Sequence, residues 1–275
     1  MDDDHDLPLG RPTAYPTAYD PGLLVTVPRA TTRRTLGIEG PTLPFVGEDR
    51  WTAYEVSWLD AGGRPTAMIG EIVVPCGSPR LVESKSLKLY LGSLNGAVFA
   101  DAGAAGATIA ADLSGAAGAP VAVRLWPAGG AEPALGALPG RCIDDAPIER
   151  PGFALDPGLL EGAAAGAPEV EAAVYTHLFR SRCPITAQPD WASVWIRYRG
   201  PAIADAPLLA YLLSFREHGE FHEHCVERIF ADVRARCRPA ALTVAARFTR
   251  RGGLDINPWR STFEEALALP RLTRQ

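Results

Sequence analysis

Trp51-Thr-Ala-Tyr-Glu-Val-Ser-Trp-Leu59, followed by Asp60-Ala-Gly-Gly-Arg-Pro65 and Met68-Ile-Gly-Glu-Ile-Val-Val-Pro75, is the stretch from which the fold is read. The first run alternates bulky with small or polar side chains, the middle is turn chemistry, and the last is β-rich, so the three predict a hairpin. A helix follows. In Glu83-Ser-Lys-Ser-Leu-Lys-Leu-Tyr90 and beyond, Leu87, Leu91 and Leu94 recur at helical spacing. Glu83 therefore sits at the amino end of that helix, where unpaired backbone N–H groups favour anions. Residues 97–137 are dominated by Ala and Gly, with helix potential up to the region of Pro120 and a strand over Val121-Ala-Val-Arg-Leu-Trp126. That bias is compositional and is assigned no function.

The second half repeats this order. Val174, Thr176, Leu178 and Arg180 alternate against Tyr175, His177 and Phe179, and Ser193-Val-Trp-Ile-Arg-Tyr-Arg199 alternates again, giving another hairpin. A helix is expected over 207–216. Phe221, Cys225, Ile229, Phe230 and Val233 mark the apolar face of another that ends near Pro239, and 241–250 returns as a strand. The order is β-β-α-α-β-β twice, an α+β protein of two antiparallel sheets with helices packed on one face of each. Residues 1–50, rich in Pro, Gly, Thr and Tyr without periodicity, read as an extended arm, with structure beginning at Trp51. The expected organisation is this arm, a first module over 51–135, a connection over 136–170 and a second module over 171–275.

With 275 residues the chain is long enough to bury an adequate core as one large domain or two halves. A formal net charge of -5 argues against a large basic face, so direct contact with nucleic acid is not expected. The acidic start, Met1-Asp-Asp-Asp-His-Asp, leads into no apolar segment, and no run approaches the roughly 20 apolar residues of a membrane span. A cytoplasmic protein without membrane contact is expected. Cys76, Cys142, Cys183, Cys225 and Cys237 are odd in number and lack CxxC spacing, which fits reduced thiols.

Chemistry gathers in three places. Cys183-Pro-Ile-Thr-Ala-Gln-Pro-Asp190-Trp191 carries a thiol and a carboxyl on one non-helical segment. Two readings stand: Cys183 as nucleophile with Asp190 passing its proton, or an inert buried thiol beside a turn aspartate. In His218-Gly-Glu-Phe221-His222-Glu223-His224-Cys225 the histidines invite a zinc site. Gly219 weakens a helix through His218, and His222 and His224 point apart, so no metal is expected. The alternatives are a proton-moving His222 with an acceptor Glu223, or a solvated helix end. If Glu83 and Glu223 occupy equivalent places of the two halves, they present two acceptors to the donor edge of a guanine-like base, with Phe221 free to stack. Lys85, Lys88, Arg250, Arg251 and Arg260 around Gly252-Gly253 have the composition of a phosphate cradle or of a solvated basic edge. No GxGxxG, GxxxxGK[ST] or GxSxG occurs in the sequence.

Glu83-Ser-Lys-Ser-Leu-Lys-Leu-Tyr90 resembles the signature of the QueF family, the NADPH-dependent 7-cyano-7-deazaguanine (nitrile) reductases. So do Tyr19-Asp-Pro-Gly-Leu-Leu, Trp51 through Trp58, Arg141-Cys-Ile-Asp-Asp145, Cys183 through Trp191, Phe221 through Phe230 and Thr249 through Arg260. Order and spacing are those of the long, two-module form, with 97–137 the least similar region. The resemblance implies tandem tunnelling-fold (T-fold) modules, a homodimer, NADPH as cofactor and a deazapurine base as substrate. It further implies Cys183 as the nucleophile that forms a thioimide with the nitrile carbon and Asp190 as proton donor. Val82, Glu83, Ser84, His222 and Glu223 match substrate-binding positions, and Ser84, Lys85, Arg251 and Gly252 match cofactor-binding ones. A zinc-dependent cyclohydrolase of the same fold and a non-catalytic purine-binding module are the competing readings.

Overall fold

The structure is a computed structural model and describes residues 15–40, 42–130, 134–148 and 152–275. In chain order the elements are β1 (Thr26–Pro28), α1 (Arg29–Arg34), β2 (Val46–Leu59), β3 (Pro65–Pro75), β4 (Arg80–Val82), α2 (Ser84–Ser93), α3 (Ala102–Ala117) and β5 (Ala122–Pro127). There follow β6 (Arg141–Cys142), β7 (Glu169–Arg182), β8 (Pro189–Pro201), α4 (Asp205–Leu213), α5 (His222–Cys237), β9 (Ala241–Phe248) and β10 (Leu254–Ser261). They form two compact units, one of residues 1–32, 49–132 and 250–255, the other of 33–48, 133–249 and 256–275.

In the first unit β2 and β3 are the predicted hairpin, closed where Asp60 Oδ1 accepts from the amides of Gly62 and Arg64, both at 2.9 Å. β5 adds antiparallel to β3, from Met68 opposite Pro127 to Val73 opposite Ala122. The Ala-rich stretch forms α3 because alanine costs little side-chain entropy in a helix. Asp101 caps its start with a 2.8 Å bond from the Ala104 amide, and Gly118 ends it in the left-handed region. Arg80 binds the last carbonyls, those of Gly115 and Ala116, where a cation also meets the negative end of the helix dipole. The expectation of no structure before Trp51 fails. β1 pairs antiparallel with β4, Thr26 opposite Val82, and β2 begins at Val46. Buried Arg29, paired with Asp49, carries this ordering, and a single charged residue within a polar arm gives no periodic signal.

The second unit runs β10-β9-β8-β7-β6, antiparallel except for the parallel pairing of the two-residue β6 with β7. The strict alternation expected of β7 fails at His177-Leu178, where two residues oppose one on β8 and the register shifts. Asp144 holds this bulge, accepting from Thr176 Oγ1 at 2.5 Å and from the His177 amide at 3.1 Å. Phe179 is thereby buried on the core face, while Arg180 stands opposite Trp191 and Ser181 opposite Asp190. β8 and β9 are buried on both faces. One face packs Val226, Ile229, Phe230 and Val233 of α5; on the other Trp195 and Trp259 lie under Leu138, Leu267, Leu269 and Leu272.

Both units contain the same brace. Asp20-Pro-Gly-Leu and Asp156-Pro-Gly-Leu each form a short 3-10 turn in which the aspartate Oδ1 accepts from the glycine amide at 2.8 Å. The Asp20 amide donates to Ser93 Oγ, which donates to the Tyr90 carbonyl at 2.6 Å; Asp156, Ser214 and Tyr211 repeat this. Tyr90 and Tyr211 then donate to Asp112 and Asp232, each at 2.6 Å. Helix α2 therefore corresponds to α4, and α3 to α5. Glu83, the N-cap of α2, has Ala204 as its counterpart, and Glu223 lies in the first turn of the other helix of its pair. The expected equivalence of Glu83 and Glu223 is corrected by this correspondence.

Candidate functional site

In the first unit, β4 delivers Val82 and Glu83 to the amino end of α2, and both are buried. The Glu83 carboxylate is the helix cap, Oε1 accepting from the Lys85 amide at 2.8 Å and Oε2 from the Ser86 amide at 2.7 Å. Both oxygens are held in fixed directions, which leaves their remaining lone pairs for a ligand that donates. Ser84 Oγ lies 3.4 Å from Oε1, and Ser84, Lys85 and Lys88 are half-buried.

Arg250, Arg251, Gly252 and Gly253 form a tight turn in the same unit, with Arg251 and Leu254 exchanging backbone bonds of 2.9 and 3.2 Å. Gly252 and Gly253 have φ of +54° and +79°, and a Cβ added at Gly252 would stand 2.7 Å from Lys88 Nζ. Backbone and ammonium thus approach as closely as the absence of a side chain allows. Arg250 stacks over Tyr54 at 4.6 Å, and Tyr54 donates to Asp255 at 2.6 Å, which steadies the turn. Lys85, Lys88 and Arg251 bring three cations to this one unit, the charge that phosphate groups require. Arg260, expected among these cations, is fully buried in the second unit and donates to Glu227 Oε1 at 2.8 and 3.0 Å. Arg33 donates to the same carboxylate, and Arg260 and Arg33 both cover Phe45 at 5.6 Å. Burial alone would raise the Glu227 carboxyl, but the two guanidiniums outweigh it and bring it to about 2.

In the second unit Cys183 opens the loop that closes the β7–β8 hairpin. Its amide donates to the Gln188 carbonyl at 2.8 Å, its carbonyl accepts from Ala187 at 3.0 Å, and Ala187 takes a positive φ of 55° to close the turn. Cys183 is buried at the rung next to Arg182 and Pro189. Asp190, one residue into β8 and 4% exposed, faces α5, where His222 Nε2 stands 3.3 Å from Asp190 Oδ2. The sequence brought Cys183 and Asp190 to one loop; it gave no reason to join Asp190 with His222. Phe248 on β9 was missed altogether. Its ring lies 4.0 Å from that of His222 at 31°, holding the imidazole against the carboxylate. Helix α5 begins at His222 and excludes His218, so the expected weakening at Gly219 holds. Glu223 is buried in the first turn and Phe221, half-buried, meets His224 edge-on at 6.0 Å.

The segment before α5 is fixed by Glu220, which accepts from Arg228 at 2.9 and 3.0 Å and lies 3.0 Å from His218 Nε2. Burial raises the Glu220 carboxyl, yet His218 and Arg228 prevail and bring it to about 2. Cys225, below this segment, is driven well above the ordinary thiol range by burial and by the Glu220 charge. It is unsuited to act as a nucleophile. Among the described residues no three His, Cys, Asp or Glu side chains come together so as to hold a metal ion.

These features define a two-unit α+β protein with its polar groups gathered at helix amino ends and hairpin turns. Residues 15–125 match the sequence profile described as nitrile reductase, 7-cyano-7-deazaguanine-reductase N-term, and residues 189–266 match that of QueF-like protein. The NADPH-dependent 7-cyano-7-deazaguanine reductase of Stenotrophomonas maltophilia is 50% identical over 274 residues, 99% of this chain and 98% of that one. The protein so named from Chromohalobacter salexigens is 51% identical over 98% of this chain and 96% of its own. That of Dechloromonas aromatica is 50% identical over 100% and 96%. The chain belongs to the QueF family of NADPH-dependent 7-cyano-7-deazaguanine reductases, in its two-module form.

Proposed function

We propose that this protein reduces the nitrile of 7-cyano-7-deazaguanine to the aminomethyl group of 7-aminomethyl-7-deazaguanine, using NADPH, within queuosine biosynthesis for tRNA modification. The names of its full-length relatives support the activity. The structural observation that carries the mechanism is the Asp190–His222 pair, 3.3 Å apart, beside the loop that Cys183 opens. Asp190 takes the Cys183 thiol proton as the sulfur adds to the nitrile carbon; an S–C bond forms as one π bond of the C≡N group breaks, and Asp190 returns that proton to the nitrogen. The product is a thioimide, a far better hydride acceptor than a nitrile. When bound, NADPH supplies a hydride to that carbon, and two equivalents account for the four electrons. After the first reduction the C–S bond breaks and sulfur leaves as thiolate, and His222 and Asp190 share the protons that the nitrogen takes up.

In the first unit Glu83, with Val82 and Ser84 beside it, is assigned to the substrate as a hydrogen-bond acceptor; in the second unit Phe221, His222 and Glu223 are assigned to the substrate likewise. Ser84, Lys85, Arg251 and Gly252 hold the cofactor, their cationic and amide donors matching its phosphates. The reading extends to a homodimer in the cytoplasm acting on the free base without contact to tRNA. Its modules are residues 51–135 and 171–275, joined by 136–170. No helix among the described residues is long and apolar enough to cross a membrane.

Intact-protein mass spectrometry after incubation with the nitrile base, NADPH withheld, tests the nucleophile. The wild-type chain gains the mass of one base and Cys183→Ala gains none. Adduct on the alanine variant refutes the assignment.

A further inference from the structure

Ser181 is fully buried near the end of β7, and its hydroxyl has no hydrogen-bond partner among the described residues. Buried hydroxyls are normally bonded, because one left alone forfeits the bonds that water made to it. Ser181 lies directly opposite Asp190 on the β7–β8 ladder, so both side chains leave the sheet on one face with Cβ atoms about 5 Å apart. The ladder continues one rung further, where the Cys183 amide donates to the Gln188 carbonyl at 2.8 Å. Cys183, two residues after Ser181, therefore stands in the same row. Phe179, two residues before, meets Phe248, the ring that lies against His222. From α5, Cys225 faces the same space: the Ser181 hydroxyl favours ionisation of its thiol slightly and the Asp190 charge opposes it.

The unbonded hydroxyl thus sits between the thiol and the carboxyl that the proposed reaction uses. Burial disfavours the charged form of Asp190, yet Asp190 must be charged to take the thiol proton and neutral to return it. A partner that follows it through both states has to donate to one and accept from the other. A serine hydroxyl does both, and a turn about χ1 carries it across the rung. The Cys225 thiol is a weak donor, and an aliphatic side chain on this rung would do neither.

We propose that Ser181 is a positioning residue for Asp190, donating to the carboxylate while it is charged and accepting from it once it holds the thiol proton. The role rests on the proposed function for the reaction that Asp190 serves. The other titratable groups on this face are His222 and Cys225 of α5 and Cys183 of the loop. Glu220 and Arg228, whose charges also act on Cys225, are bonded to each other.

Titration of the Asp190 carboxyl carbon by NMR in protein labelled with ¹³C-aspartate tests the contact without any nitrile chemistry, the signal being the one that Asp190→Asn removes. Ser181→Ala deletes a donor to the charged form, so the midpoint is expected to rise by about one pH unit; Ser181→Thr, which keeps the hydroxyl, brings it most of the way back. Adduct formation between Cys183 and the nitrile base, followed without NADPH, gives the second readout. In Ser181→Ala its acid limb moves up by the same amount, so that the rate on the acid side is about tenfold lower, while the affinity for the base stays within about twofold. A hydroxyl that served only packing predicts an unshifted titration and a urea midpoint that rises or stays, since alanine removes a buried group without a partner. An Asp190 midpoint unmoved in Ser181→Ala, or a shift that Ser181→Thr does not reduce, overturns the proposal. If the wild-type chain forms no adduct, the nitrile chemistry fails, and the carboxyl titration still decides the role of Ser181.

Discussion

The two halves share one brace and divide the chemistry. In each, an Asp-Pro-Gly turn hangs from a serine whose hydroxyl also binds a tyrosine carbonyl, and that tyrosine donates to an aspartate on the following helix. At the ends of these braced helices the residues diverge. The first unit puts Glu83 at the cap of α2, where the second has Ala204; the second puts His222 and Glu223 at the start of α5, where the first has an Asp101-capped, alanine-rich turn. A repeated scaffold that keeps its supports and varies its helix starts separates fold from function by position. Packing is maintained at the carboxyl end of each first helix, and polar groups are free to change at the amino ends of both helices.

The sharpest test of this division sets Asp190→Asn against Glu83→Gln. Asparagine preserves the shape of Asp190 but cannot deliver a proton, so kcat is expected to fall on the order of 10²- to 10⁴-fold with the KM for the base little changed. Glu83→Gln weakens an acceptor and a helix cap together, raising KM and lowering stability by about 1 kcal/mol, with a smaller effect on kcat. Steady-state kinetics on the two variants distinguish the roles. Should Glu83→Gln depress kcat as far as Asp190→Asn, the first unit takes part in the proton transfer and the division is wrong.

How much of this was legible from residues alone follows from the range of each interaction. Hairpins and helices were readable because their signals are local: the alternation in 51–59, the leucines after Ser84 and the alanine-rich run up to Pro120 are carried by neighbours in sequence. Strand β10 was not, because Leu254-Asp-Ile-Asn-Pro-Trp-Arg-Ser261 is buried throughout and has no period to detect. The site divides in the same manner. Cys183 and Asp190 share a loop and were found together, whereas Asp190 meets His222 and His222 meets Phe248 across sequence gaps that only strand pairing closes. Arg260 was misplaced because a basic residue near two glycines resembles a phosphate ligand until Glu227, on another element, claims it. The equivalence drawn between Glu83 and Glu223 failed because composition of a helix start does not say which helix of a pair it begins; Tyr90 and Tyr211 do.

Acid distinguishes the halves next. Glu220 and Glu227 both belong to the second unit, and their folded carboxyls lie at about 2 against an ordinary value of 4.5. A depressed folded value means stability that is complete above pH 4.5 and lost as pH falls toward 2, on the order of 3 kcal/mol for each group. Asp232, which burial raises above its ordinary value, acts in the opposite sense and offsets part of the loss. Urea midpoints measured from pH 5 down to 2.5 are expected to fall for the second unit first, followed by hydrogen exchange at β8 and β9 amides. Glu220→Gln should flatten that slope while lowering stability at neutral pH, because Arg228 then lacks its counter-charge. A first unit that loosens in parallel across this range would place the acid-sensitive contacts elsewhere.

The smallest expected difference lies within the brace itself. Tyr90 and Tyr211 are both fully buried and make the same 2.6 Å bond, but their acceptors are not alike. Asp112 also accepts from Tyr19 at 2.6 Å, so Tyr90→Phe leaves that carboxylate with a donor. Among the described residues Asp232 is held by Tyr211 and by the more distant charges of Arg228 and Arg236. A carboxylate left without its hydroxyl costs more than one that keeps a second. Tyr211→Phe is therefore expected to cost about 2 kcal/mol and Tyr90→Phe about 1 kcal/mol, read from urea denaturation at neutral pH. Lowering the pH toward 4 should narrow the gap, since protonating Asp232 removes the charge that the missing hydroxyl had stabilised. If the two variants lose equal stability and the gap has no pH dependence, Tyr19 contributes nothing to the first brace, and the turn before Pro21 is held by its serine alone.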